Sequence, residues 1–171
     1  AQGHAKRISV YFRDMDNGYW TGARPNDQFI PASLLKLPIY IAYLQQSQAN
    51  PGILNKQYLL TPSPDANIEE HFKPAHPLVL GQWYTVQQLL DATIKESDNN
   101  ATAVLNDNVP RSSIDEVYGN FAVQPSPDEN ADSISTEDYM RFFRILYNAT
   151  YLGRRRSQTA LQTLSQTTFN D

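Results

Sequence analysis

A serine and a lysine three residues apart are the first candidates for chemistry in this chain. Ser33 and Lys36 lie within the longest apolar run, Phe29–Leu44. If a helix starts near Ala32, residues three apart share one face, and Lys36 stacks one turn below Ser33. A serine hydroxyl is a good nucleophile only when a base takes its proton. We therefore expect a buried Lys36 whose pKa lies below that of an ordinary exposed lysine. The simpler interpretation is an N-cap serine and a snorkelling lysine.

A second polar group, Ser97-Asp98-Asn99, follows much later in the chain. The surrounding pattern places it in the turn between two predicted helices. Its simpler interpretation is an Asx turn in which Asp98 or Asn99 caps the second helix. We expect Ser97 to face Ser33 and Lys36 across a cleft.

Several elements must position these residues. Asn17-Gly18 predicts a type I′ turn that joins strands Arg7–Arg13 and Tyr19–Ala23 in a β-hairpin. Thr85–Gln88 and Ser113–Glu116 both have the capping-box pattern. Helices are predicted over Ser33–Gln48, Val86–Glu96, Ala101–Asn106 and Gln158–Leu164, and from Ser113 to Gly119. Ser135 is predicted to cap one more helix, which has the helical i, i+3, i+4, i+7 spacing at Tyr139, Phe142, Phe143, Leu146, Tyr147 and Thr150.

The pair S-x-x-K and S-D-N resembles the signature of class A β-lactamases and penicillin-binding proteins. Phe29-x-Pro-Ala-Ser-x-x-Lys-Leu-Pro is similar to the nucleophile helix of that family. Gly81-Gln-x-Tyr-Thr-Val, ahead of the Ser97 helix, and the hairpin before Ser33 also resemble it. The resemblance covers roughly residues 7 to 170, and the joint pattern is specific.

The resemblance implies an α+β fold of the β-lactamase/transpeptidase type, with a helical domain packed on an antiparallel sheet. It implies an acyl-transfer enzyme in which Ser33 attacks a β-lactam or an acyl-D-Ala-D-Ala peptide while Lys36 takes its proton. Ser97 would relay a proton to the leaving nitrogen, and Asn99 would bind the substrate's side-chain amide. The Ser33 N–H and a second N–H from a sheet strand would hold the oxyanion. No cofactor is implied, and the expected location is periplasmic or extracellular.

The family's K-T-G strand and opening helix are not recognisable. No glycine has Lys, Arg or His two residues before it. We interpret the 171 residues as a fragment, or as one chain of a cleaved protein. Residues 1–30 would be a hairpin of an incomplete sheet domain, and residues 31–171 the helical domain. Another segment or a second chain is expected to supply the missing strands.

The family's deacylating glutamate is also not recognisable in the loop from Gly119 to Ser135. Asp128 and Glu129 are the only carboxylates near the middle of this loop, and a solvated loop is the preferred interpretation. Without a base to activate water, the acyl-enzyme would form but hydrolyse slowly.

Two other classes of function remain open. One is a non-catalytic protein that binds peptidoglycan or a partner protein with the same fold, since fold does not decide function. The other is an esterase or amidase without β-lactam activity. A covalent penicillin adduct on Ser33 would exclude the first class, and ester turnover without an adduct would favour the second.

Composition argues against several partners. The net charge is −4, and the basic run Arg154–Arg156 is interpreted as a C-terminal helix cap rather than a nucleic-acid patch. No apolar run reaches the roughly 18 residues that span a membrane. The chain has no cysteine. His71 and His76 do not share a helix face and Pro74 separates them, so a solvated loop is preferred to a metal site.

Overall fold

The computed structural model describes residues 6–61, 64–68, 73–123, 126–127 and 132–168. This part of the chain is mostly helical, with short antiparallel strands, which confirms the predicted α+β class. The helices are α1 (Lys36–Ala49), α2 (Val86–Lys95), α3 (Asn99–Asn108), α4 (Arg111–Asn120), α5 (Thr136–Asn148) and α6 (Gly153–Leu164), with 3-10 turns at Ala32–Leu35 and Pro51–Asn55. The strands are β1 (Val10–Arg13), β2 (Trp20–Ala23), β3 (Gln28–Phe29), β4 (Gln57–Leu59), β5 (Trp83–Thr85), β6 (Ser126–Pro127) and β7 (Asp132–Ser135).

Helix α1 is the centre of the core. Its residues from Lys36 to Leu44 are all buried, because apolar side chains lie on every side of the helix. It packs against α2, α3 and α4. Even the polar tip of Tyr43 is used, since its hydroxyl donates to the Leu105 carbonyl at 2.9 Å. A helix held on several sides gives a rigid base to the residues at its N-terminus.

Side-chain caps fix where three helices begin. Thr85 and Gln88 form the predicted capping box at the start of α2. Asp98, one of the two predicted caps, accepts from the Ala101 N–H at the start of α3. Ser135 accepts from the Asp138 N–H and starts α5 where the sequence predicts. Each cap satisfies a backbone donor that has no partner within its helix.

Within the described ranges, the strands form three small antiparallel sheets. One is the β1–β2 hairpin, with Val10 opposite Ala23 and Arg13 opposite Trp20. A second has the order β3-β7-β6, and the third pairs β4 with β5. Strand β1 packs on α5. The β3–β7 pairing ties the segment just before Ser33 to the segment just before α5.

The predicted type I′ turn is wrong. Of the pair Asn17-Gly18, only Gly18 has a positive φ, +79°. The Asp14 carboxylate instead accepts from the backbone N–H groups of Asp16 and Asn17, at 2.8 and 3.3 Å. These hydrogen bonds stabilise the ionised carboxylate and lower the pKa of Asp14. A longer loop closed by this side chain therefore replaces the two-residue turn.

The capping box predicted at Ser113 is also wrong. Helix α4 begins at Arg111, after Pro110, and has no side-chain cap. Pro110 is itself the N-cap residue, and its side chain has no oxygen that could accept from the first turn. The Ser113 hydroxyl accepts from the Gln46 side-chain amide at 3.1 Å, so it joins α4 to α1.

The arginine run does not cap a helix C-terminus as predicted. Helix α5 ends at Asn148 with Ala149 in a left-handed conformation, and Arg154–Arg156 lie in the first turn of α6. Cations are disfavoured by the dipole at a helix N-terminus. Arg156 is compensated by donating to the hydroxyl and the carbonyl of Ser47, at 2.9 and 2.7 Å, which holds α6 against α1.

Candidate active site

Ser33 lies in the 3-10 turn that precedes α1, as the sequence predicts. Its side chain is exposed. The residue before it, Ala32, has a φ of +46°, a left-handed conformation that L-residues rarely adopt. This turn presents the hydroxyl at the positive end of the helix dipole, where a developing oxyanion is stabilised.

Lys36 is the first residue of α1 and is only 6% exposed. The burial expected from the sequence is confirmed, and the lowered pKa of Lys36 stays a prediction. Its Nζ donates to the Ser97 carbonyl at 2.6 Å and to the Ser97 Oγ at 2.8 Å. The amine is therefore held by the turn between α2 and α3, not by solvent.

Ser97 joins the two other candidates. Its Oγ lies 3.1 Å from the Ser33 Oγ, to which it donates a hydrogen bond. Its φ is +55°, a left-handed conformation that costs an L-residue about 1 kcal/mol or more. The structure thus brings together the three residues proposed to be catalytic, with Ser97 between Lys36 and Ser33. Atoms in this order can pass protons from one group to the next.

Asn99 lies beside these residues at the start of α3. Its backbone N–H donates to the Asn67 Oδ1 at 2.8 Å, and its Nδ2 lies 3.4 Å from the Ala66 carbonyl. The loop at residues 64–68 therefore packs directly against the proposed substrate-binding residue. The role of Asn99 in substrate binding stays a prediction.

A buried polar network below the S-D-N turn was missed by sequence reasoning. Asp98 is fully buried. Its carboxylate accepts from the Asn67 side chain at 3.0 Å, the Leu78 N–H at 3.2 Å and the cap donor of α3. Asn100 donates to the Asp65 carboxylate at 2.7 Å. Asp65 and Asn67 lie in a loop without periodicity, so nothing in the sequence indicates that they point inward.

Glu96 is the other carboxylate next to Ser97, and its role was also missed. It accepts from the backbone N–H groups of Ala75 and His76 at 3.1 and 3.3 Å and from the Thr168 hydroxyl at 3.1 Å. The His76 Nδ1 lies 3.3 Å from its second oxygen. Burial raises the pKa of Glu96, but the hydrogen bonds together outweigh burial and lower it.

A cavity of about 160 Å³ opens beside the three candidates. Drug-sized ligands occupy roughly 300–1,000 Å³, so this cavity would hold a reacting group rather than a whole substrate. It is lined by Ser33, Leu34, Lys36, Leu37, Thr93, Ile94, Lys95, Ser97, Tyr139, Leu164 and Thr167.

A larger apolar groove of about 550 Å³ lies next to the cavity, and Ser33 is not among the residues that line it. It runs between β1 and α5, and Leu34 and Tyr139 line both spaces. The Tyr139 hydroxyl donates to the Leu34 carbonyl at 3.2 Å. Burial raises the pKa of Tyr139, which keeps this phenol neutral at physiological pH. Tyr139 therefore lines both the cavity and the groove, and its hydroxyl serves as a hydrogen-bond donor.

Three sequence-based candidates for other roles lie outside the described residues. They are Asp128 and Glu129 in the loop before α5, and His71. Within the described ranges, no group of three His, Asp or Glu side chains could hold a metal ion. No helix in these ranges is long and apolar enough to cross a membrane.

The comparison with known families agrees with the geometry of the site. The model of the beta-lactamase enzyme family matches residues 1–171. The chain belongs to this family. The match confirms the resemblance that S-x-x-K and S-D-N indicate in the sequence. No curated protein sequence shows significant similarity to the chain.

Solved structures share the fold of this family member. A beta-lactamase from Sphaerobacter thermophilus is 21% identical with a TM-score of 0.77, and the match covers 93% of this chain and 63% of that one. A class A beta-lactamase from Mycobacterium abscessus is 23% identical with a TM-score of 0.78, covering 96% and 66%. A variant of PBP-A, solved as an acyl-enzyme complex with penicillin G, is 17% identical with a TM-score of 0.75, covering 95% and 63%. The chain thus spans slightly less than two thirds of these relatives.

Proposed function

We propose that this chain carries the nucleophile of a serine acyl-transfer hydrolase that acts on β-lactams or D-Ala-D-Ala-like peptides through a Ser33 acyl-enzyme. The observation that carries the proposal is the line of contacts from the Lys36 Nζ through the Ser97 Oγ to the Ser33 Oγ, at 2.8 and 3.1 Å. Membership of the beta-lactamase enzyme family supports a hydrolase. The PBP-A relative, described as an acyl-enzyme complex with penicillin G, supports this class of substrate.

The proposed first step is acylation. The Ser33 Oγ bonds to the substrate carbonyl carbon while its proton passes to neutral Lys36. The bond between the carbonyl carbon and the nitrogen then breaks as Ser97 gives its proton to the leaving nitrogen and regains one from Lys36, so the protons balance. The N-terminal end of α1 favours the negative charge that develops on the carbonyl oxygen. Asn99 would position the substrate's side-chain amide.

The second step, hydrolysis of the acyl-enzyme, needs a base that activates water. The sequence has no recognisable deacylating glutamate between Gly119 and Ser135, and Glu129 lies outside the described residues. We propose that deacylation is slow and that the protein behaves as a penicillin-binding protein. An exported location, periplasmic or extracellular, and completion of the sheet by another segment or chain are part of the same proposal.

The test is mass spectrometry of the full-length protein after incubation with a fluorescent penicillin. Ring opening leaves the amine attached, so the adduct should add the whole mass of the penicillin and map to the peptide that contains Ser33. A D-Ala-D-Ala peptide should instead add its acyl part and release D-alanine. Ser33→Ala should abolish the adduct, whereas Ser112→Ala, at an exposed position on α4, should label like the natural protein.

The other classes of function predict different results in the same experiment. Penicillin bound without an adduct would identify a non-catalytic binding protein. Turnover of a simple ester by Ser33 without a penicillin adduct would identify an esterase or amidase. An adduct at a residue other than Ser33 would reject the proposed mechanism.

A further inference from the structure

The backbone of Ser97 needs support that its own residue type does not supply. Serine is not a residue that favours a φ of +55°. Such conformations persist only where the surroundings over-determine them. Lys36 contacts both the carbonyl and the hydroxyl of Ser97, so any change in this backbone would move the hydroxyl from its place beside Ser33.

The segment 75–78 supplies this support from one side. Its three backbone N–H groups, at Ala75, His76 and Leu78, all donate to the carboxylates of Glu96 and Asp98, which flank Ser97. The remaining residue of the segment is a proline and has no N–H to donate. The segment is therefore fastened on both sides of the serine.

Thr168 supplies support from the C-terminal side. Its N–H donates to the Lys95 carbonyl at 2.8 Å, and the single proton of its hydroxyl is shared between that carbonyl at 3.0 Å and the Glu96 carboxylate at 3.1 Å. The Glu96 carboxylate thus joins segments that lie 20 and 72 residues away in the chain. One of its oxygens accepts from Ala75, His76 and Thr168 together.

We propose that Glu96 is a positioning residue for the proposed reaction: by binding the segment 75–78 and Thr168, it holds Ser97 in the left-handed conformation that places its hydroxyl between Lys36 and Ser33. This inference rests on the proposed function for its kinetic consequence, but not for its structural one. Glu96 contacts neither serine hydroxyl, so it acts through the backbone. Its effect should fall on the rate of acylation more than on the initial binding of penicillin.

The test compares Glu96→Ala with Glu96→Gln in the full-length protein, well below the melting temperature of each variant. The glutamine keeps an oxygen that can accept the same three hydrogen bonds, whereas alanine removes them all. We expect Glu96→Ala to slow acylation by fluorescent penicillin about 10- to 100-fold and Glu96→Gln by less than about fivefold, because small misplacements of reacting groups are costly. Hydrogen exchange of the peptide with residues 96–99 should accelerate in Glu96→Ala.

The matched control is Glu116→Ala. Glu116 is an exposed glutamate on α4, and no residue of α4 lines the site cavity. It should leave both measurements unchanged. If Glu96→Ala melts at a lower temperature but is acylated at the natural rate, its role is structural only and the proposal is overturned. Unchanged exchange at residues 96–99 would overturn it equally.

Two further outcomes keep the test decisive. If Glu96→Ala does not fold, Thr168→Val takes its place, since it removes only the hydroxyl contacts, and a smaller change in the same direction is expected. If the natural protein takes up no penicillin, the proposed function fails. Hydrogen exchange alone then decides whether Glu96 holds the turn.

Discussion

Lys36 is the side chain whose protonation state would decide whether Ser33 can react. A buried amine loses hydration, which disfavours its charged form, while the two oxygens of Ser97 favour that form. As a general base it must be neutral at the working pH. Because these effects on the Lys36 amine oppose each other, its protonation state offers the most direct test of the mechanism.

We expect Lys36→Arg to fold and to lose acylation by roughly 100- to 10,000-fold, the range supplied by general base catalysis. Arginine keeps the positive charge but cannot act as a base near neutral pH. In the natural protein, acylation should rise with pH and level off above the pKa of Lys36, which we predict to lie below the usual lysine value. Measured rates of penicillin labelling across pH would show this. Lys36→Arg that labels within tenfold of the natural rate would remove Lys36 as the base.

Glu96 gives a prediction for stability in acid. Its pKa is lower in the folded protein, because the hydrogen bonds from His76, Thr168 and Ala75 favour the ionised form. The stability that it contributes is therefore present above its unfolded pKa and is lost as pH falls through its folded value. The natural protein should be more stable than Glu96→Gln at pH 7, and the difference should shrink below about pH 4.5. Urea unfolding of both proteins from pH 3 to 8 measures it, and a gap that stays constant across this range would contradict the assignment.

At the scale of single residues, the sequence predicts the reactive groups but not the groups that support them. Ser33, Lys36 and Ser97 carry chemical types and spacings that predict a shared site. Asn67 and Glu96 have no such pattern, because a carboxylate or amide in a loop is usually solvated. Their inward orientation depends on contacts between distant segments, which local sequence does not encode.

Among the helix starts, those of α2, α3 and α5 were predictable, because their cap residues satisfy local backbone donors. The start of α4 was not predictable, because the hydroxyl of Ser113, the expected cap, accepts instead from Gln46 on α1. The turn at Asn17 was missed because Asp14 offered a competing acceptor. In each failure, a side-chain contact displaced the expected local geometry.

The three helix caps should differ in their contribution to stability. Thr85→Ala should cost about 1 kcal/mol, as usual for an N-cap. Asp98→Ala should cost more, by about 1–3 kcal/mol for each donor left buried without a partner, because Asp98 also binds Asn67 and Leu78. Urea unfolding of the two variants compares them. A cost for Asp98→Ala no larger than that of Thr85→Ala would show that water readily replaces the buried network.

For the molecule as a whole, the hairpin presents a group of exposed apolar side chains. Val10 and Phe12 alternate along strand β1, and Ile8 continues this spacing just before the strand; the three are 50%, 63% and 58% exposed. Alternate residues of a strand share one face, so these three form an apolar stripe. The division into a sheet part, residues 1–30, and a helical part, residues 31–171, stays a prediction, as does completion of the sheet by other strands.

We expect the 171 residues expressed alone to self-associate through this stripe, because large exposed apolar patches drive association. Val10→Thr combined with Phe12→Thr should shift the protein toward monomer with little effect on the helical core. Analytical ultracentrifugation measures the association, and Tyr19→Thr, at an exposed aromatic of the same hairpin, is the control. If the unsubstituted 171 residues are monomeric and turn over a chromogenic cephalosporin, the expected association and the expected need for further strands are both wrong.

The wide separation of the site residues along the chain also has a consequence in time. Ser97 follows Ser33 by 64 residues, so the ribosome needs about 3 to 13 s to reach it at 5–20 residues per second. During that interval the emerging polypeptide holds a serine whose proton-relay neighbour has not yet been made. A nascent chain that ends before Ser97 cannot be labelled by the mechanism proposed here, even if α1 has already formed. Reactivity toward penicillin would thus report on how far translation has progressed.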